Sequence, residues 1–362
     1  MRFLFIVQGE GRGHMTQAIS LQDILVSNGH EVVEVLVGKS PRREIPAFFY
    51  NRIKCDIKSY ESPNFVMSKD NKSLLLFRSV FYNLRKFGTF ISSMRFIANR
   101  IKETRADVVI NYYELLAGFT YLVFNPKVPY YCIGHQYLLL HPGFVFPKGK
   151  HFDRFLLNFN TRLTSFRARK FLALSFVEMP DIPKKKIYVV PPLLRKEVIE
   201  AQTSDKGYIL GYMLNTGYAE EIIAWHKKHS DREVHFFWDK KDAPEDLEVQ
   251  PNLFFHKISD VKFLNYMKDC SAFSSTAGFE SVCEAFYMQK PLMMVPTGNH
   301  FEQNCNAFDA NRAGAGVFDF VFNLDLLLDL MAKYKKSEVF PRWVRSAGQK
   351  FIGILTETDK AK

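Results

Sequence analysis

Cysteine is scarce in this chain. Only Cys55, Cys132, Cys270, Cys283 and Cys305 occur in 362 residues, an odd number with no C-x-x-C spacing. That argues against a disulfide framework or a thiolate zinc site and fits reduced thiols in a cytosolic setting. Long apolar runs are also missing. None approaches the ~20 residues needed to cross a bilayer. The opening run Met1–Val7 is too short for a secretory signal and soon meets Glu10 and Arg12. The expected setting is therefore cytoplasmic, either soluble or peripheral on the inner face of the membrane. No internal repeat and no low-complexity tract occurs.

Acidic residues are scarce in one half only. Residues 1–200 carry 30 Lys and Arg against 16 Asp and Glu, whereas residues 201–362 carry 19 against 22. No acid lies between Asp70 and Glu103, and Asp153 is the only one between Lys148 and Lys170. The net charge of +11 thus belongs to the first half. It suits a membrane surface, a nucleic acid or an anionic substrate. No nucleic-acid motif accompanies it, so no nucleic acid is expected. At 362 residues, with 47% hydrophobic and 24% charged content, the chain is globular and of two-domain length.

The most informative stretch runs from Ser274 to Gln303. A short apolar run ends in Ser-Ser-Thr-Ala-Gly, and then Phe279, Val282, Cys283, Phe286 and Tyr287 recur at helical spacing. Thr276 to Ser281 is therefore expected to be a strand-to-helix turn. Its free backbone N–H groups and the helix dipole suit a phosphate. Gly278 permits close approach, and the Thr276 and Ser281 hydroxyls can donate. Glu284, one turn on, suits the two hydroxyls of a ribose. Pro291–Pro296 reads as a buried strand whose exit loop carries His300, Glu302 and Gln303, groups able to bind a sugar. Phosphate, ribose and sugar contacts this close together describe a nucleotide-sugar site.

At the other end, Arg2–Val7 reads as a strand, Gln8–His14 as a glycine-rich turn and Met15–Asn28 as a helix. The spacing is Gly-x-Gly-x-Gly-His, not the dinucleotide fingerprint, and Glu31 and Glu34 come too early to hold a ribose. His14, at a helix start, should be kept neutral by the dipole and able to accept a proton. The alternative is a plain helix cap. Strand–helix alternation continues through both halves, which predicts an α/β fold.

The motifs Gly278-x-x-Ser281-x-x-Glu284 and Glu302-Gln303 before Asn306-Ala307 resemble the donor signature of GT-B glycosyltransferases. The likeness is to the glycosyltransferase-28 and UDP-glucuronosyltransferase-like groups, which include the transferase that completes the peptidoglycan lipid precursor. The resemblance implies a GT-B architecture, with two Rossmann-like domains, a donor/acceptor cleft between them and a C-terminal helix crossing back. The expected boundaries are 1–194 for the acceptor domain, 195–340 for the nucleotide-sugar domain and 341–362 for the returning helix. It implies donor contacts from Gly217, Ile258, Thr276, Ala277, Gly278, Phe279, Ser281, Glu284, Glu302 and Gln303. Gly11, Gly13 and His135 fall on the acceptor side. His14 is the implied general base, and Glu114 the acid that orients it, although the family often has aspartate where Asn111 lies.

The expected reaction is hexosyl transfer from a UDP-sugar, a co-substrate rather than a cofactor, to an acceptor hydroxyl. No Asp-x-Asp pair occurs, so no metal is expected to be essential. Two basic, apolar segments, residues 74–102 and 138–170, can meet anionic lipid, so the acceptor is expected on a lipid or membrane-associated glycan. Two other readings stay open: a nucleotide-sugar 2-epimerase, and a non-catalytic nucleotide-sugar-binding subunit.

Overall fold

Strands buried on both faces are expected to read as continuous apolar runs. Phe3–Val7 and Val108–Tyr112 are such runs, and both lie at the centre of a sheet. The computed structural model describes residues 1–40, 44–63, 85–213, 216–240 and 242–357. Within them two seven-stranded sheets form. The first orders its strands β3-β2-β1-β4-β5-β6-β7. These are β1 (Arg2–Gln8), β2 (Glu31–Lys39), β3 (Asp56–Glu61), β4 (Val108–Tyr112), β5 (Tyr130–Gly134), β6 (Lys170–Leu174) and β7 (Ile187–Val190). All pairings between these strands are parallel.

The second sheet is ordered β10-β11-β9-β8-β12-β13-β14. Its strands are β8 (Ile209–Met213), β9 (Val234–Trp238), β10 (Asp246–Gln250), β11 (Leu253–Lys257), β12 (Ala272–Ser275), β13 (Leu292–Met294) and β14 (Val317–Phe318). Only the edge strand β10 runs antiparallel.

Helices alternate with the strands. In the first half they are α1 (Arg12–Ser27), α2 (Ala47–Arg52), α3 (Phe87–Glu103), α4 (Leu115–Phe124) and α5 (His151–Leu163). The short α6 (Lys196–Ile199) follows β7, and then come α7 (Ala219–His226), α8 (Asp260–Asp269), α9 (Phe279–Tyr287), α10 (Phe301–Arg312) and α11 (Leu324–Met331). Strand order reverses between β1 and β4 and between β8 and β12, and ligands gather at the carboxyl ends of strands at such points. Those ends carry the Gly9–Gly13 loop, Tyr113 with Glu114, and Thr276–Gly278.

Several elements differ from expectation. Helix α1 begins at Arg12, so Gly13 and His14 lie in its first turn. Residues 44–63 hold α2 and the edge strand β3, whose side chains are mostly half-buried or exposed. Of the basic segment 74–102, residues 74–84 lie outside the described residues; the rest is α3. The final helix is two, α12 (Val339–Arg345) and α13 (Ala347–Thr356), meeting at Ser346. Both pack back on the first sheet. Trp343 Nε1 donates to Ser175 O at 2.9 Å, and Lys170 Nζ donates to Ile354 O at 2.8 Å. Among the described residues no helix is long and apolar enough to cross a membrane.

Candidate active site at the interdomain cleft

Strand β12 ends at Ser275, and a tight turn leads into α9. Thr276 N donates to Tyr212 O at 3.2 Å, and Gly278 N donates to Thr276 O at 2.6 Å. Gly278 is the N-cap, with extended backbone and no side chain to accept from the helix amides. The first turn of α9 therefore offers N–H groups and a positive dipole end to an incoming anion. Ser281 Oγ donates to Gly278 O at 3.3 Å and lies 3.4 Å from Ser275 Oγ. Thr276 and Ala277 are buried beneath this turn, and Asn306 Nδ2 donates to Ala277 O at 3.2 Å. A Cβ on Gly278 would meet nothing closer than 3.7 Å. Its smallness is not demanded by packing.

The start of α1 faces the start of α9. Gly9 is required by the fold, since a Cβ there would lie 2.8 Å from Gly38 O. Gly11 caps α1 and is open to solvent. Gly13 faces the other lobe: its Cβ would fall 2.9 Å from Cγ of Glu280. His14 Nδ1 lies 3.3 Å from Gln17 Oε1, and its ring stacks on Tyr113 with centroids 6.0 Å apart. Burial lowers the His14 pKa, while Glu302 and the Gln17 bond pull the other way. Burial, rather than the helix dipole, is thus the main influence favouring the neutral form. Gln17 Nε2 donates to Glu280 Oε1 across the cleft. Burial pushes Glu280 up to about 8. Gln136 Nε2 donates to Glu302 Oε1 at 2.9 Å, so Glu302 also reaches the first lobe.

Some assigned residues stand elsewhere. Glu284 is not open to a ribose. It is 2% exposed, and both its oxygens accept from Arg195, at 2.7 and 2.8 Å. Glu114 does not reach His14. It caps α4 through Leu116 N at 3.2 Å and accepts from Ser62 Oγ at 2.5 Å. Burial pushes it up to about 7. Asn111 cannot substitute, because its amide is spent on Tyr130, Thr164 O and Glu114. His135 is 2% exposed and donates from Nδ1 to Leu174 O at 2.8 Å. Its ring stacks on Phe279 at 4.3 Å, and burial brings its pKa down to about 4. The rings of His135 and Phe279 thus join the lobes.

The remaining positions assigned to the donor lie in the second lobe. Gln303 Oε1 accepts from Thr297 N at 2.8 Å, and its own N–H approaches His300 Nδ1 at 3.4 Å. Ile258 is half-buried just after β11, and Gly217 lies in a short 3-10 turn after β8. Gln17, Glu280, Tyr113, Gln136 and Arg195 are site residues that sequence reasoning missed. Gln17 carried a signal, its place one helical turn after His14. The others meet the site only through tertiary approach. Among the described residues no group of three or more His, Cys, Asp or Glu is placed to hold a metal ion.

Two parallel-dominated sheets in two lobes, with terminal helices returning to the first, make up the two-domain GT-B glycosyltransferase fold. The chain belongs to glycosyl transferase family 1, whose family model matches residues 1–333. Solved structures agree on the fold. The glycotransferase of kitacinnamycin matches at 16% identity and TM-score 0.66, with 98% of each chain covered. Phytolacca americana UGT2, complexed with UDP-2-fluoro-glucose and pterostilbene, matches at 14% and 0.61, covering 99% of this chain and 96% of its own. Acinetobacter baumannii MurG matches at 14% and 0.56, with 99% of each covered. At these identities the likeness shows the fold alone. No curated protein matches the chain.

Proposed function

We propose that the protein transfers a hexosyl group from a UDP-sugar to a hydroxyl on a lipid or membrane-associated glycan, without a metal ion. One observation carries this reading: the capless start of α9 faces a neutral histidine from the other lobe. His14 accepts the proton of the acceptor hydroxyl. The acceptor oxygen then bonds to the anomeric carbon as the bond from that carbon to the diphosphate oxygen breaks. The amides of α9 stabilise the charge on the departing diphosphate. Glu302 and Gln303 stand near the sugar, and Ile258 and Gly217 near the nucleotide.

A thermal-shift panel of nucleotides and UDP-sugars tests donor binding. A ligand at 100 times its Kd adds about 2.7 kcal/mol, a clear rise in Tm. No rise with any uridine nucleotide defeats the proposal. Gly278→Ala should keep the unliganded Tm, because the added methyl meets only ordinary contacts. It should still weaken UDP binding, since the methyl intrudes on the approach to the amides.

The membrane part of the proposal rests on α5. Phe152, Phe155 and Phe159 are 69%, 62% and 51% exposed on this helix. Exposed Lys148, Lys150, Arg154 and Arg162 surround them. Aromatic rings beside basic side chains suit the boundary of an anionic bilayer. The helix is tied to the cleft as well. Asn160 Nδ2 donates to Tyr113 Oη at 3.1 Å, and Thr161 Oγ1 lies 2.9 Å from it. Tyr113 is the residue stacked on His14. Co-sedimentation with phosphatidylglycerol vesicles is expected, falling as salt rises and lost in the Phe152→Ser, Phe155→Ser, Phe159→Ser triple variant. Equal recovery of wild type and triple variant would remove the membrane from the proposal.

A further inference from the structure

We propose that Glu280 and Gln17 form a positioning relay that fixes the tautomer of His14 from the opposite lobe. The inference rests on the reading of His14 as the base. A glutamine amide has one accepting and one donating end. Nε2 of Gln17 donates to Glu280 Oε1, which turns Oε1 of Gln17 toward His14. An amide oxygen can only accept, so the imidazole must carry its hydrogen on Nδ1. Nε2 is then left with its lone pair, the state a general base needs. Reversing the amide would set Gln17 Oε1 against the accepting oxygen of Glu280. Only the Glu280 carboxylate, which accepts and cannot donate, fixes the amide in this way; the neutral acid could also donate to Gln17 Oε1, so the relay is in force where Glu280 is charged, above its pKa of about 8.

Two further observations make this crossing a built feature. Gly13 leaves room for the stem of Glu280: a Cβ there would stand 2.9 Å from Cγ of Glu280. The carboxylate expected to orient His14 is absent from its side, because Glu114 is spent on capping α4 and on Ser62. Gln17 takes that task, and its own orientation comes from α9, the helix whose start faces the diphosphate in the proposed reaction. The base is therefore set only when the starts of α1 and α9 are together. Separating the lobes frees the amide and with it the tautomer.

Imidazole 15N NMR on the full chain, without substrate, tests the relay. His14→Ala assigns the signal. Above about pH 8, where Glu280 is charged, wild-type His14 should carry its hydrogen on Nδ1. Glu280→Ala and Gln17→Leu should each shift it toward the Nε2–H form. Where Glu280→Ala does not fold, Glu280→Gln should give a mixture, because an amide at 280 can turn either way. The reciprocal swap Gln17→Glu with Glu280→Gln should restore Nδ1–H, since the new carboxylate accepts from both neighbours. With a working donor and acceptor, Gln17→Leu should lower kcat at least about ten-fold with donor KM unchanged, and the swap should recover it. Wild-type His14 protonated on Nε2, a tautomer indifferent to residue 280, or a swap that restores nothing would each overturn the relay and leave donor binding untouched. An Nδ1–H signal that answers to both residues, in a protein that binds no uridine nucleotide, upholds the relay and removes the transferase reading.

Discussion

Replacing His14 by alanine should lower turnover by about 10²–10⁴-fold, the usual contribution of a general base, and should leave UDP-sugar binding in place. The two effects separate because the lobes divide the work. The amides proposed to hold the diphosphate belong to α9, whereas His14 belongs to α1. Turnover is read as UDP release in the presence of acceptor-bearing membrane extract, and binding as a rise in Tm. Wild-type turnover in His14→Ala would take the base away from this residue.

The pH profile gives an independent check of the same side chain. Only neutral His14 can accept a proton, so kcat/KM should fall on the acid side as His14 becomes charged. Burial lowers its pKa from the ordinary 6.5, so that limb should lie below pH 6.5. The groups around the ring are Gln17 on its own helix, Tyr113 after β4, and Glu302 on α10. Glu302 favours the imidazolium, so Glu302→Gln should move the limb further toward acid. A limb that moves upward in Glu302→Gln would mean that the profile reports another group.

Both sheets were legible because their strands are apolar on both faces and alternate with helices at regular spacing. Arg2–Val7, the run that ends at Ser275 and the helix from Phe279 all stand where the pattern put them, within a residue or two. β3 and β10 were not legible. They are edge strands of mixed side chains, such as half-buried Lys58 and exposed Glu248, so no continuous run marks them. The strand-to-helix turn at Thr276–Gly278 was legible because small polar residues and a glycine between an apolar run and a helical pattern have a local signature. The partners across the cleft have none. Glu280 reads as an ordinary acid in a helix's first turn, and only the approach of α1 brings it to Gln17. Glu114 was misplaced for a related reason. Its position after β4 is correct, but the side chain turns back to cap α4 rather than forward to His14.

Arg195 stands at the expected boundary between the domains, and the largest stability loss is expected there. The residue is 6% exposed. It holds Glu284 of α9 with two parallel hydrogen bonds and reaches Asp260 at the start of α8. Arg195→Met would fill much of the same volume and leave a fully buried carboxylate unpaired. Breaking a buried pair from one side costs about 3–5 kcal/mol, which for a chain of this length is a fall in Tm of about 4–6 °C. An exposed pair offers the contrast. Lys350→Met, which removes the contact with Glu178, should cost no more than about 1 kcal/mol. Adding Glu284→Gln to Arg195→Met should recover much of the loss, because the penalty lies in the stranded charge and not in the missing bonds. If the double variant melts below Arg195→Met alone, the ion pair is not the source. Donor affinity should follow stability here. Arg195 clamps α9 one turn beyond Ser281, so the same substitution that lowers Tm should loosen the helix start and weaken UDP binding, while Glu284→Gln with Arg195→Met should restore both together.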